Sequence, residues 1–349
     1  MILPGRPQKG RAASFGKLAI RIAVSSALMI FLATKISLSE LGSLLATLNR
    51  PLLSAGFGCI FLSNWIGSYQ WHQLLKSSGI VMPFWRTFRF YFVGVFFNNF
   101  LLGSVGGDAV KIYDVARVGT SVYQVIAVTL LDRILGIFGL CLLAAIATFY
   151  LLGAGAGELH LLYLVIFIGC MSPAIGFYLF KPFSSWLRKA VKFIRPLSLD
   201  ERISSVLDYL GEFKGRKTLI LKLMGLSLII QGLRVIAHMF VAASLGVVLS
   251  PVMTGYFFTF IPVLGLVITL PISIMGIGVR EYLGIILFSA TGISETDTFT
   301  MLFLTYVGLV VASLLGLVFF LMKRGGRTKT VGSREPDGIL SVEPGRDIE

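Results

Sequence analysis

Apolar residues fall in long runs along this chain, and none of those runs shows the strict alternation of a half-buried strand. Residues 18–36, 52–71, 158–180 and 298–322 form clear runs, and 121–152 and 218–248 form longer ones. About 20 apolar residues in a helix cross ~30 Å of hydrocarbon, so each run is a candidate span. The pattern predicts an all-α polytopic membrane protein.

Two further runs are interrupted. Phe90 to Val105 is apolar, then "SVGGDAVK" supplies Gly106, Gly107, Asp108 and Lys111 after Gly103. Sixteen helical residues reach only about 24 Å, too short for a comfortable crossing. The segment reads as a re-entrant arm broken at Gly103, Gly106 and Gly107, which are expected to face a protein-lined, wet cavity. Asp108 is placed to cap a short helix over 109–117. A capped loop between two helices is the plainer alternative. In the second half "LPISIMGIGVREYLGIILF" breaks at Pro271, Gly276 and Gly278, just before Arg280 and Glu281. Both breaks follow an aromatic run and precede charge, the pattern that marks transporter sites built from discontinuous helices. The two are expected to meet in one central site.

Charge sets the orientation. Lys76, Arg86 and Arg89 flank one loop, and 181–217 holds nine Lys/Arg against four Asp/Glu, whereas 153–160 and 291–299 carry only acids. Basic loops stay cytoplasmic. Parity then gives six spans and two re-entrant hairpins of opposite entry. Reading 252–270 and 276–292 as two thin spans leaves eight spans as the alternative, and either count is compatible with an inverted repeat. Residues 1–17 form a basic cytoplasmic N-terminus, 18–322 the transmembrane domain with 181–217 as its basic cytoplasmic loop, and 323–349 a disordered cytoplasmic tail. Both termini are expected inside, with the chain in the cell (inner) membrane.

Composition agrees with the run pattern: 56% of residues are apolar, 14% are charged, and the mean hydropathy is +0.85. The net charge of +14 collects on one membrane face, which suits anionic lipid and makes nucleic acid a poor partner. Cys59, Cys141 and Cys170 and the histidines His72, His160 and His238 lack metal spacing. No metal and no cofactor is expected. A membrane enzyme could use Asp108, Asp132 or Glu281, but no nucleotide loop or nucleophile motif accompanies them.

Charges inside apolar runs are expensive and face a protein interior. Asp132 and Arg133 lie in "TLLDRILGIFGL", and Gln231, Arg234 and His238 share one helical face in "IIQGLRVIAHMF". For that face, interhelical hydrogen bonding and snorkelling are the plainer reading.

"NNFLLGSVGGDAVKIYDVAR", then "LLDRILGIFGL", then "LPISIMGIGVREYLGIILF" resembles the transmembrane flippase-like domain of lysylphosphatidylglycerol synthases and its stand-alone relatives. The resemblance covers about residues 15–322, with Lys111 where the family commonly has arginine. It implies movement of a phosphate-bearing lipid between leaflets, an aminoacyl-phospholipid or a polyprenyl-phosphate lipid. Lys111, Arg133 and Arg280 are then the candidate headgroup cations, and Asn98, Asn99, Asp108, Asp132 and Glu281 support or pair with them. The residues after Met322 are too few for an aminoacyl-transferase domain, so no enzyme activity is expected. A non-catalytic scaffold for a lipid synthase or glycosyltransferase is the alternative reading.

Overall fold

The computed structural model describes residues 46–100, 106–155, 157, 159–179, 199–213, 215–269 and 276–325. The expected N-terminus at 1–17, the first span at 18–36, Gly103, Pro271 and the tail from 326 lie outside the described residues. Ten helices are described: α1 Arg50–Ser77, α2 Phe84–Phe100, α3 Gly106–Ala116, α4 Val122–Gly153, α5 Leu159–Leu179, α6 Leu199–Gly211, α7 Lys217–Ser244, α8 Pro251–Thr269, α9 Val279–Ser289 and α10 Glu295–Gly325. By length and composition α4, α7, α8 and α10 can each cross a membrane.

Every apolar run within the described residues is helical, because a helix is the one open structure that satisfies its own backbone in lipid. Boundaries moved at three places. α10 continues through Gly325, so the first three residues assigned to the tail are helical. The 181–217 loop contains α6, whose Leu210 and the following Phe213 are buried in the core beside α4. α3 begins at Gly106, not at 109, and two of the glycines expected to break the chain form its first turn.

The bounds of α1 and α7 are related by adding 167, and those of α3 and α9 by adding 173. α2 and α8 also start 167 apart, and α4 and α10 start 173 apart. Packing follows the same rule. α2 lies on α10 as α8 lies on α4; α1 touches α10 and α4 as α7 touches α4 and α10; the pairs α1–α2, α2–α3 and α3–α4 recur as α7–α8, α8–α9 and α9–α10. The largest interface joins α1 to its own mate α7. α5 and α6, both on α4, belong to the link between the halves.

α1 and α7 run antiparallel. The Asn49 N–H donates to the Ser244 carbonyl at 2.9 Å at one end of the pair, and at the other end the Arg216 guanidinium donates to the Ser77 carbonyl. These contacts are images of each other, since 49 maps to 216 and 77 to 244. A two-fold axis that exchanges antiparallel helices is perpendicular to them, so for membrane-crossing helices it lies in the membrane plane. The repeat is therefore inverted. Two apolar clusters obey the same relation: Leu74, Leu75, Val115 and Val128 of the first core map to Val241, Ala242, Phe288 and Met301 of the second.

Candidate functional site

Asp108 is the third residue of α3, and its carboxylate turns away from the helix end. Oδ1 meets Lys111 Nζ at 2.9 Å, while Oδ2 accepts from Arg133 Nε at 2.8 Å and from its terminal guanidinium nitrogen at 2.6 Å. The expected cap is therefore a bridge between α3 and α4. Lys111 is 5% exposed, with its ammonium 5.2 Å from the Trp71 ring centre and 5.1 Å from that of Tyr91. Ring faces and one carboxylate replace the hydration that a buried ammonium loses. Arg133, by contrast, keeps 39% of its side chain exposed.

The glycines serve approach, not reversal. A Cβ on Gly107 would lie 1.8 Å from the Gly94 carbonyl oxygen, so α3 can rest on α2 only if this position has no side chain. The Gly107 N–H donates to Asn98 Oδ1 at 2.8 Å, which ties the first turn of α3 to α2. Gly107 thus meets packed backbone, where a wet cavity was expected. Asn99 is buried, and its amide nitrogen has no hydrogen-bond partner among the described residues.

Asp132 points elsewhere. Its Oδ1 accepts from Gln70 Nε2 at 2.9 Å, and Gln70 Oε1 accepts from the Ser227 hydroxyl at 3.0 Å, which links α4, α1 and α7. Ser227 begins a polar stripe on α7, followed by Gln231, Arg234 and His238 at spacings of four, three and four. Gln231 Nε2 donates to the Gly136 carbonyl at 2.9 Å. Arg234 is exposed, and its guanidinium lies 3.4 Å from Gln231 Oε1. Arg234 was read from sequence as a packing or snorkelling residue. Ten residues, about 15 Å of helix, separate it from the end of α7, which is more than its side chain can span. A charge at that depth costs ~2.5–3.5 kcal/mol unless it is matched.

The second break is built differently. Gly276 and Gly278 hold φ of +75° and +83°, the left-handed region that glycine enters without strain, so these two positions do reverse the chain. Glu281, the third residue of α9, accepts from the Gly278 N–H at 2.8 Å and pairs with Arg280, whose Nε lies 3.1 Å from Oε1. The Arg280 guanidinium also lies 5.1 Å from the Tyr306 ring centre. Both Arg280 and Glu281 are buried. His238, the last member of the α7 stripe, shares a hydrogen bond with the Arg234 carbonyl at 2.8 Å.

Two grooves are described, and neither contains these charges. The larger, about 490 Å³, is lined by Trp65, Tyr69, His72 and Phe84 on the outer side of α1 and α2. Among the described residues no cluster of His, Cys, Asp and Glu could hold a metal ion.

Membrane-length helices in two halves of matching bounds and packing, with buried ion pairs in each, define an all-α polytopic membrane protein built as an inverted repeat. A model of the lysylphosphatidylglycerol synthase TM region matches residues 18–316, and the chain belongs to that family. No curated protein matches the chain.

Proposed function

We propose that this chain binds the phosphate-bearing headgroup of a membrane lipid and moves it between leaflets. The observation that carries the reading is Arg133, a cation 12 residues into the 32-residue α4, held by Asp108 yet 39% exposed where the two inverted halves meet. An anionic headgroup cannot enter hydrocarbon unpaired, because the ion loses its hydration there. A fixed guanidinium at that depth offers paired donors in place of water, while the lipid tails stay in the bilayer. Lys111 is enclosed by Asp108, Trp71 and Tyr91, so in this conformation its part is to fix the Asp108–Arg133 pair. Arg280 is enclosed in the same way by Glu281 and Tyr306, and reaches a headgroup only if α9 moves.

The cargo is an aminoacyl-phospholipid or a polyprenyl-phosphate lipid, the chain lies in the cell membrane with both termini cytoplasmic, and no covalent chemistry is required of it. The test is lipid translocation in proteoliposomes holding only this chain, at equal reconstituted amounts of wild type, Arg133→Gln and Arg280→Gln. Wild type is expected to equilibrate at least one phosphate-bearing lipid, and Arg133→Gln to slow it at least tenfold, because glutamine keeps polarity but cannot neutralise phosphate. Equal rates in all three would remove these cations from the mechanism. No translocation by wild type across a panel of phospholipids and polyprenyl phosphates would favour the scaffold for a lipid synthase or glycosyltransferase.

A further inference from the structure

We propose that the groove on the outer side of α1 and α2 holds one anionic phospholipid, with an acyl chain along its aromatic wall and the phosphate between Lys76 and Lys222. The site is separate from the ion pairs of Asp108 and Glu281, and it stands whether or not the chain moves lipid.

Ring packing sets the wall in advance. Trp65 meets Phe88 edge to face at 5.1 Å and Trp85 at 6.0 Å, while Phe84 meets Tyr69 at 6.2 Å and His72 at 5.5 Å. His72 Nδ1 lies 3.1 Å from the Thr87 hydroxyl, which ties this ring on α1 to α2. Leu226 of α7 closes the other side. A surface whose rings are fixed before binding loses little freedom when a chain settles on it.

The dimensions suit a hydrocarbon chain. Trp65 and Gln73 both line the groove and are about 12 Å apart along α1 at 1.5 Å per residue. A volume of about 490 Å³ over that length leaves a mean cross-section of about 40 Å². A helix about 10 Å across needs roughly 80 Å², so a helix cannot sit inside.

Charge selects the lipid. Lys222 lies one turn before Leu226 on α7, and its Nζ is 5.8 Å from the Tyr69 ring centre. Lys76 follows His72 by one turn on α1 and is exposed. Among the described residues neither lysine has a carboxylate within ion-pair distance. From Trp65 to Lys76 the helix rises about 16 Å, close to half of the ~30 Å hydrocarbon core. An acyl chain that reaches Trp65 therefore leaves its phosphate level with the two ammoniums. The second half does not repeat this arrangement: Trp65, Tyr69, His72 and Lys76 have Gly232, Ile236, Met239 and Ala243 as mates, and Lys222 has Ala55. The repeated backbone by itself supplies neither the rings nor the cations, so one end of the molecule alone carries the site.

Tryptophan fluorescence of the whole purified chain, reconstituted in phosphatidylcholine vesicles with a rising fraction of brominated phosphatidylglycerol, tests the site. Bromine on an acyl chain quenches a tryptophan it touches, and brominated phosphatidylcholine reports ordinary contact with the bilayer. The part of the quenching that is lost in Trp65→Phe belongs to the groove. For that part, wild type is expected to prefer phosphatidylglycerol about fivefold or more, as one lysine near a membrane surface contributes about fivefold. Lys76→Gln combined with Lys222→Gln should bring the ratio to about one, whereas arginine at both positions should keep it. Arg133→Gln should keep it as well, because that guanidinium is no part of the groove.

Equal quenching by the two lipids overturns the proposal and makes the groove ordinary bilayer contact. Quenching of Trp65 by neither lipid also overturns it, because the groove is then covered by protein, either the run at 18–36 or a second copy of the chain. A preference that survives the double glutamine substitution, or that disappears in Arg133→Gln, overturns it by placing the anionic lipid elsewhere. A preserved preference in a wild-type chain that translocates no lipid would defeat the movement reading and spare this site.

Discussion

Asp108 and Glu281 hold the same place in the two halves, third residue of an 11-residue helix that follows a break, and their carboxylates do opposite things. Asp108 has one methylene. Its carboxylate stays near the helix and meets Lys111 and then Arg133, so it joins α3 to α4. Glu281 is longer and folds back onto the Gly278 N–H and onto its neighbour Arg280, so it closes its own turn. The partner helices diverged with them: the mate of Arg133 is Tyr306, a neutral ring beside Arg280. One backbone frame thus holds a cation that remains exposed in one half and a sealed pair in the other. An inverted repeat can keep its geometry while its chemistry becomes one-sided.

The largest effect should come from removing the carboxylate that serves two cations. Asp108→Asn leaves Lys111 buried without a counter-charge and should cost ~3–5 kcal/mol. Glu281→Gln keeps an oxygen for the Gly278 N–H but strips one buried cation, Arg280, of its carboxylate, and should cost ~3 kcal/mol, the lower end of the same range, because a single cation loses its partner. Melting of the two variants in the same detergent tests the contrast, and equal losses would mean the halves are alike in energy as well as in frame.

A smaller effect is expected at the crossing of α2 and α3. Gly107→Ala should cost about 1–3 kcal/mol, since the new methyl group would drive into the Gly94 carbonyl. Gly58→Ala on α1, where a Cβ would meet nothing within 4 Å, should be neutral or slightly stabilising. If Gly107→Ala melts like Gly58→Ala, the close approach of α2 and α3 is not what this glycine provides.

The smallest energetic effect, and the most direct view of inversion, comes from labelling. On a background without Cys59, Cys141 and Cys170, a single cysteine at Ser77 should change stability by less than ~0.5 kcal/mol, and one at Asn49, whose side chain caps α1 by accepting from the Leu52 N–H, should cost about 0.5–1 kcal/mol. An impermeant thiol reagent applied outside whole cells should reach position 49 and not position 77 if the end that carries Lys76 and Arg216 is cytoplasmic, as its basic residues predict. Labelling of both positions from one side would deny that α1 crosses.

Helix positions were legible because apolar runs of membrane length leave the backbone few other options in lipid. The internal repeat was nearly hidden, since equivalent positions share geometry more often than chemistry: Asn64 and Gln231 remain alike, while Arg133 and Tyr306, or Gly67 and Arg234, do not. The order of aromatic run, glycine and charge showed where the repeat lies, and helix bounds supplied the register. Asp108 looked like a cap because an acid after two glycines usually is one; its cross-helix partner is 25 residues away, beyond any local pattern. A lone arginine in an apolar helix such as Arg234 reads as snorkelling from sequence, because its distance from the helix end is not known there.

The in-plane two-fold axis bears on thermodynamics as well as shape. If the chain moves lipid as proposed, a lipid approaching from either leaflet would meet nearly the same arrangement of helices, with the order of the halves exchanged. The scaffold by itself therefore offers no downhill direction, and a ligand biases such a molecule only through different affinities for its two inward- and outward-facing forms. What distinguishes the leaflets is the small set of side chains that break the symmetry: Arg133 against Tyr306, Arg234 against Gly67, and the carboxylates turned opposite ways. Without coupling to another energy source, those residues can change the rates of entry from each side but not the final ratio of lipid between leaflets. Net accumulation on one face would then be set by where the lipid is made and where it is consumed.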